Sequence, residues 1–262
     1  MVRSVENSRI VIVGAGNLAT CLGLALKRVG VVPRAVWSRS EASASSLADK
    51  LGCPYTTDID SLPVADVVIT AVSDDALPAV AARLVAKYSD ALLVHTAGSV
   101  PMDIWADAGA QRYGVFYPMQ TFSKAKEVDF SRLGIFVESA AEDDYSMLEA
   151  LARRLTTMVY RATSQQRAYL HIAAVYACNF ANAMYAMAAE VLGKQGLPFE
   201  VMLPLIDETA EKLHHLSPQE AQTGPARRGD TRVMARQRAM LDGDIAAAYD
   251  IISRYICDKA TR

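Results

Sequence analysis

Glycines at 14 and 16 and a small residue, Ala19, stand directly after an apolar run, Ile10–Val13, and open an apolar-periodic segment over residues 18–29. Strand, Gly-x-Gly-x-x-Ala and helix in that order are the context in which a glycine fingerprint binds a dinucleotide. Gly14 permits the tight turn, Gly16 lets the backbone approach a pyrophosphate, and Ala19 allows the helix to pack close to the strand. Asn17 and Leu18 begin the helix, whose free N–H groups and dipole favour an anion. A glycine-rich turn in any doubly wound domain has the same local pattern, but the strand before it and its place at the start of the chain favour cofactor binding.

The next strand is Ala35–Trp37, and Ser38-Arg39-Ser40 follow it. A site for NAD usually ends this strand with a carboxylate for the ribose 2′-hydroxyl. Here Ser38 takes that place. A guanidinium flanked by two hydroxyls can instead bind a 2′-phosphate through charge-assisted bonds, which points to NADP. Ser40 also fits the N-cap of the next helix.

Ligands of open α/β sheets lie at the carboxyl ends of the strands. Val72, Ser73 and His95 fall there and are expected to border the cofactor. Ser99 can hydrogen-bond a substrate, or N-cap a helix over residues 101–106. His95 can be an acid or base, or a satisfied strand-ending histidine. Tyr117 can donate a proton to a developing alkoxide, or serve structure alone. His171 and Asn182, eleven residues apart on one long helix, lie about 20° apart in α-helical projection, with Asn179 about 80° from His171. Their alternative is polar pairing between helices. Near the end of the chain, Arg227 and Arg228 beside two glycines can clamp a substrate anion, while Asp230 can N-cap the next helix. His214 and His215 lack further ligands, so no metal site is expected.

The elements that must hold these residues alternate over the first part of the chain. Strands are expected at 66–72, 91–95, 113–117, 134–138 and 158–160, and helices at 41–51, 75–88 and, opened by a capping box from Ser139 to Glu142, beyond 142. Such alternation means a doubly wound, mostly parallel Rossmann sheet over residues 1–161. From Thr163, a second capping box with Gln166 opens a helix of about 30 residues, apolar almost all round, at 1.5 Å per residue. Its length suits a membrane span. Asn179, Asn182, Glu190 and many alanines argue instead for a central helix sheathed by others, in an all-α domain over 162–262 with further helices at 199–213, 231–241 and 244–257. Net charge of −2 across 262 residues offers no basic surface for nucleic acid or an anionic membrane. Four scattered cysteines and no signal-peptide pattern fit a cytoplasmic enzyme with reduced thiols.

Residues 14–19, His95-Thr-Ala-Gly-Ser99, Tyr117-Pro-Met-Gln-Thr-Phe122, His171-Ile-Ala-Ala-Val with Asn179, and residues 223–230 together resemble a family with a Rossmann-like domain followed by a helical domain of unknown function. That family is similar to 6-phosphogluconate, 3-hydroxyacid, ketopantoate and pyrroline-5-carboxylate reductases, and to deazaflavin-dependent NADP oxidoreductases. The resemblance implies NADP binding and hydride transfer but supplies no substrate; one reading is an oxidoreductase acting on a small, anionic carbonyl or hydroxy compound. Tyr117-Pro-Met resembles the His-Pro-Met of prephenate dehydrogenases, with Tyr in the histidine's place. Several such relatives carry a catalytic Lys and Asn on the corresponding long helix. Here His171 stands in for the lysine and Asn179 orients the substrate, with Tyr117 and Ser99 completing the set and Arg228 binding the substrate anion. The same resemblance implies a homodimer joined through the helical domains. The other reading is an NADP(H)-binding sensor or scaffold without catalysis.

Overall fold

In the computed structural model, which describes residues 8–260, eight strands make one sheet. They are β1 (Ile10–Val13), β2 (Ala35–Trp37), β3 (Tyr55–Thr56), β4 (Val67–Thr70), β5 (Leu92–His95), β6 (Tyr113–Pro118), β7 (Ile135–Ser139) and β8 (Val159–Arg161). Their order is β3-β2-β1-β4-β5-β6-β7-β8, and only β6 and β7 run antiparallel. β1, β4 and β5 are buried along their whole length, which is why they read as unbroken apolar runs. Between the strands stand α1 (Asn17–Arg28), α2 (Glu41–Leu51), α3 (Leu77–Lys87), α4 (Ile104–Asp107) and α5 (Glu142–Arg153).

Side-chain alternation sends each strand to both faces. Ile10 and Ile12 meet α1, α2 and α5 through Leu22, Leu26, Leu47, Leu51 and Leu148. Val11 and Val13 meet α3 and α4 through Leu77, Leu84 and Trp105 on the other side. The strand order reverses at β1, which lies between β2 and β4. A crevice outside the carboxyl ends of the strands is expected at that reversal. This is the doubly wound, mostly parallel fold that the alternation of elements predicts.

Two local expectations change. Ser139 does not cap α5: β7 runs one residue further than expected, and the Ser139 hydroxyl donates to the Tyr113 carbonyl at 3.1 Å. Ala141 is the N-cap, without a side-chain bond, and Glu142, Asp143 and Asp144 supply the negative charge that a helix N-terminus favours. Ser99 caps nothing either. The short α4 starts at Ile104 behind Asp103. Thr163, by contrast, forms the full capping box with Gln166 at the head of α6 (Ser164–Ala174).

The long helix is not uniformly α. A π turn over Val175–Phe180 joins α6 to α7 (Ala181–Gly193). Each π residue rotates the chain less than an α residue does, so the projection that aligned Asn182 and Asn179 with His171 does not hold. The chain's compact units divide inside this helix, after Val175 rather than at 161/162.

The second unit, from Tyr176 onward, is helical: the rest of the π turn and α7 lead to α8 (Leu203–Glu211), α9 (Pro218–Ala221), α10 (Pro225–Arg228), α11 (Thr231–Arg238) and α12 (Gly243–Ala260). The expected sheathing of the long helix is not found among the described residues. The helix Ser164–Gly193 has a mean hydropathy of 1.3 over its most apolar stretch and is long and apolar enough to cross a membrane, yet none of that stretch is buried. Tyr176, Phe180, Met184 and Tyr185 are exposed. Met184, Met187, Leu192, Met202, Met240 and Ile252 help to line an apolar cavity of about 570 Å³ within this unit.

A test of this local reading is a pair of alanine variants. Thr163→Ala should cost about 1 kcal/mol in urea denaturation, as for other lost N-caps. Ser139→Ala should leave hydrogen exchange of the first-turn amides of α5 unchanged in the full chain, because Ser139 lies in the strand.

Candidate functional site

The fingerprint turn is held from both sides. Gly14 has φ +118°, donates its N–H to Trp37 O at 2.7 Å, and a Cβ there would lie 2.2 Å from the Ala71 carbonyl oxygen. Only glycine fits. Gly16 is different: a Cβ there would meet no atom within 4 Å. Gly16 and Asn17 are exposed at the head of α1, which has neither a side-chain cap nor an acidic residue in its first turn. Open space before an uncapped helix N-terminus fits a pyrophosphate. Leu18 is half-buried and Ala19 fully buried, as close packing of α1 requires.

Beyond β2, Ser38 Oγ accepts from Ser40 N–H at 3.3 Å, and Ser40 Oγ accepts from Ser43 N–H at 3.3 Å, capping α2. Arg39 is exposed and makes no hydrogen bond or ion pair among the described residues. Past the end of β4, Val72 is half-buried and Ser73 exposed.

Past β5 the chain turns sharply. His95 is fully buried, stacked on Trp105 with centroids 6.4 Å apart, and both ring nitrogens are engaged. Nδ1 accepts from Ala97 N–H at 3.2 Å, so Nε2 carries the proton and faces the Pro101 carbonyl at 3.4 Å. Burial, reinforced by the Arg167 charge, pushes its pKa down to about 3. The imidazole is therefore neutral and closes the strand, which leaves its backbone as the part that can border a ligand. Ser99 is exposed, and its hydroxyl donates to Asp74 Oδ2, tying the loop after β5 to the loop after β4.

Two of the residues expected to do chemistry, Tyr117 and His171, meet beside Gly98. A Cβ built on Gly98 would sit 2.7 Å from Tyr117 Cζ, 2.9 Å from its hydroxyl and 3.1 Å from His171 Nδ1. The phenol at the end of β6 and the imidazole on α6 thus border one small space beside the Gly98 backbone. Tyr117 is buried and His171 half-buried. Asn179 and Arg228 lie in the second unit, both exposed, and Arg228 makes no side-chain hydrogen bond or ion pair among the described residues. The loop before Arg228 is more ordered than expected, since Gly224 and Gly229 bracket the short α10 and Asp230 caps α11 through Val233 N–H at 3.1 Å.

Sequence reading missed the residues that hold this space. Arg167 is fully buried, with Nε and Nη2 on Glu138 Oε2 at 3.1 and 2.8 Å. Its Nη1 donates to the carbonyls of Ala97, Gly98 and Val100 at 2.9, 3.2 and 3.0 Å. Ser164 joins them, donating to both Glu138 oxygens and accepting from Met102 N–H at 2.9 Å. The available signal was an arginine four residues before His171, on one face of a helix that becomes apolar.

The fold is of the Rossmann type. Residues 9–98 match the family of coenzyme F420-dependent NADP oxidoreductases, and residues 133–256 match a domain of unknown function, DUF2520. A solved Bacteroides fragilis protein, described as a candidate NADP oxidoreductase, is 48% identical over 97% of this chain and all of its own, with a TM-score of 0.91. The chain belongs to this family, in which an NADP oxidoreductase-like domain precedes DUF2520. An imine reductase from Myxococcus stipitatus, solved with NADP+, shares the fold at 17% identity and a TM-score of 0.71, over 94% of this chain and 93% of its own. A curated glutamyl-tRNA reductase of Shewanella pealeana is 25% identical over 92% of this chain, which spans 58% of that relative's length.

Two outcomes follow. Unfolded histidine titrates near 6.5 and folded His95 near 3, so the unfolded state binds more protons between these values and stability falls as pH drops from about 6.5 towards 3. Urea denaturation across that range should show this slope, and His95→Gln should flatten it. At the fingerprint, Gly14→Ala should cost more than about 2 kcal/mol through clash and strain, whereas Gly16→Ala should fold normally and lose dinucleotide binding in a fluorescence titration.

Proposed function

We propose that this protein is an NADP(H)-dependent oxidoreductase acting on a small, anionic carbonyl or hydroxy compound. The observation that carries the reading is the convergence of the Tyr117 hydroxyl and His171 Nδ1 beside Gly98, at the carboxyl end of a sheet whose first turn fits a pyrophosphate. The dinucleotide would lie along Gly14, Gly16, Asn17, Leu18 and Ala19, with Ser38, Arg39 and Ser40 on the 2′-phosphate and Val72, Ser73 and the His95 backbone bordering the remainder. Bound NADP(H) supplies or accepts the hydride.

In this reading the chain's own residues manage the proton and the substrate. His171 and Tyr117 hydrogen-bond the substrate oxygen and pass a proton to it as negative charge develops. Buried neutral His95 takes no part in that transfer. Ser99, already bonded to Asp74, is proposed to help orient the substrate. Asn179 and Arg228 belong to the second unit; by residue type they are proposed for orienting a substrate and for pairing with an anionic group.

The molecule is proposed to work as a cytoplasmic homodimer joined through the helical units. Exposed Tyr176, Phe180, Met184 and Tyr185, together with the apolar cavity of the second unit, are a large surface for a soluble monomer to leave in water. A second copy would cover it, and with it the helix that is otherwise apolar enough for a membrane.

The test begins with cofactor choice. NADPH should bind more tightly than NADH, and Arg39→Ala should weaken NADPH binding by about 1.5–3 kcal/mol while leaving NADH nearly unchanged. Equal affinities of the unaltered protein for both would refute the NADP assignment. NADPH oxidation is then followed against a panel of small aldehydes, 2-oxo acids and cyclic imines. Turnover that falls at least about 100-fold in His171→Ala, with NADPH affinity retained, supports the mechanism. A fully folded protein that binds NADPH and turns over none of the panel would favour the sensor or scaffold reading.

A further inference from the structure

We propose that Arg167 is a positioning residue, setting the separation between the Gly98–Ser99 backbone and the Tyr117–His171 pair. This rests on the reading of that pair as the reacting surface. The geometry is one-sided in an informative way. A single buried guanidinium holds three carbonyls from the four residues 97–100, and its charge is balanced by Glu138 alone. A buried ion pair of this kind contributes little net stability compared with an apolar seam, because desolvation offsets most of its attraction. What it provides here is register.

Arg167 and His171 are one helical turn apart on α6 and so project from the same face. The loop gripped by the first is the loop that borders the second. Gly98 leaves no room for error, since even one added carbon would lie within 3.1 Å of both Tyr117 and His171. A displacement of that backbone by about 1 Å would alter the space between phenol and imidazole enough to change a proton-transfer rate substantially. Lysine cannot replace the arginine. Its compact ammonium lacks the planar fork needed to serve Glu138 and the carbonyls at once. The hydroxyl of Ser164, bonded to Glu138, Arg167 and Met102 N–H, locks the far end of the same loop.

The experiment compares Arg167→Lys and Glu138→Gln with the unaltered full chain, using readouts that need no substrate. Hydrogen exchange follows the amides of Ala97 and Met102, which are bonded to His95 Nδ1 and Ser164 Oγ, against the amides of β1 and β4. Nuclear magnetic resonance follows the His171 ring through a pH titration, and fluorescence measures NADPH affinity. We expect loop exchange to rise at least about ten-fold more than any rise that the strands of the core share. The His171 titration should shift, and NADPH affinity should stay within about two-fold. A uniform rise through all the strands would mean a merely structural pair, and an unmoved loop and histidine would mean no positioning role; either overturns the proposal. Should Arg167→Lys fail to fold, Glu138→Gln gives the same local signature or the same refutation. If no compound in the substrate panel is turned over, the proposed activity fails while these readouts still decide the role of Arg167.

Discussion

One buried guanidinium organises the site end of the first unit. Arg167 reaches from the first turn of α6 into the loop after β5 and is neutralised by a carboxylate from β7. Three elements distant in sequence are joined by it. The same charge has a second effect. It opposes protonation of His95, which burial already holds neutral, and so keeps the β5 terminus free of a competing cation. Without Glu138 the arginine would be an uncompensated buried charge, a defect worth several kcal/mol.

From that anchor the site is assembled by strand ends. β4 contributes the loop carrying Asp74, β5 the loop carrying Gly98 and Ser99, and β6 contributes Tyr117; α6 adds His171. The Ser99–Asp74 bond joins the first two loops, and the arginine joins the second to the helix. Glycine serves opposite purposes in this arrangement. Gly14 is required because the Ala71 carbonyl fills the space a side chain would need, and Gly16 leaves space open at a helix head.

Much of this architecture was legible in the sequence, for identifiable reasons. Buried parallel strands announce themselves as apolar runs, and residues 41–51 were bounded correctly because Ser40 caps the helix and Gly52 ends it in the left-handed conformation. The Thr163–Gln166 box was found and the Ser139–Glu142 box was not real, since identical spacing is satisfied equally by the end of a strand. The π turn left no signal in composition. Arg167 and Glu138 were missed because each, taken alone, looks like a solvated charge at an element's end; only the fold makes them partners. His95 illustrates the converse, a residue of catalytic type whose ring is wholly engaged in structure.

The helical second unit, with its long helix exposed and apolar, marks where one chain's own core ends. In the first unit the Tyr117 hydroxyl and His171 Nδ1 come together against Gly98, and they are the groups proposed to face the site of hydride transfer. A crystal structure of the protein with NADP+ tests that claim most directly. The nicotinamide ring is expected to face that pair, its reactive carbon leaving room for one small substrate at contacts of roughly 3–3.5 Å. A nicotinamide ordered elsewhere, with phenol and imidazole both turned away from it, would contradict the claim.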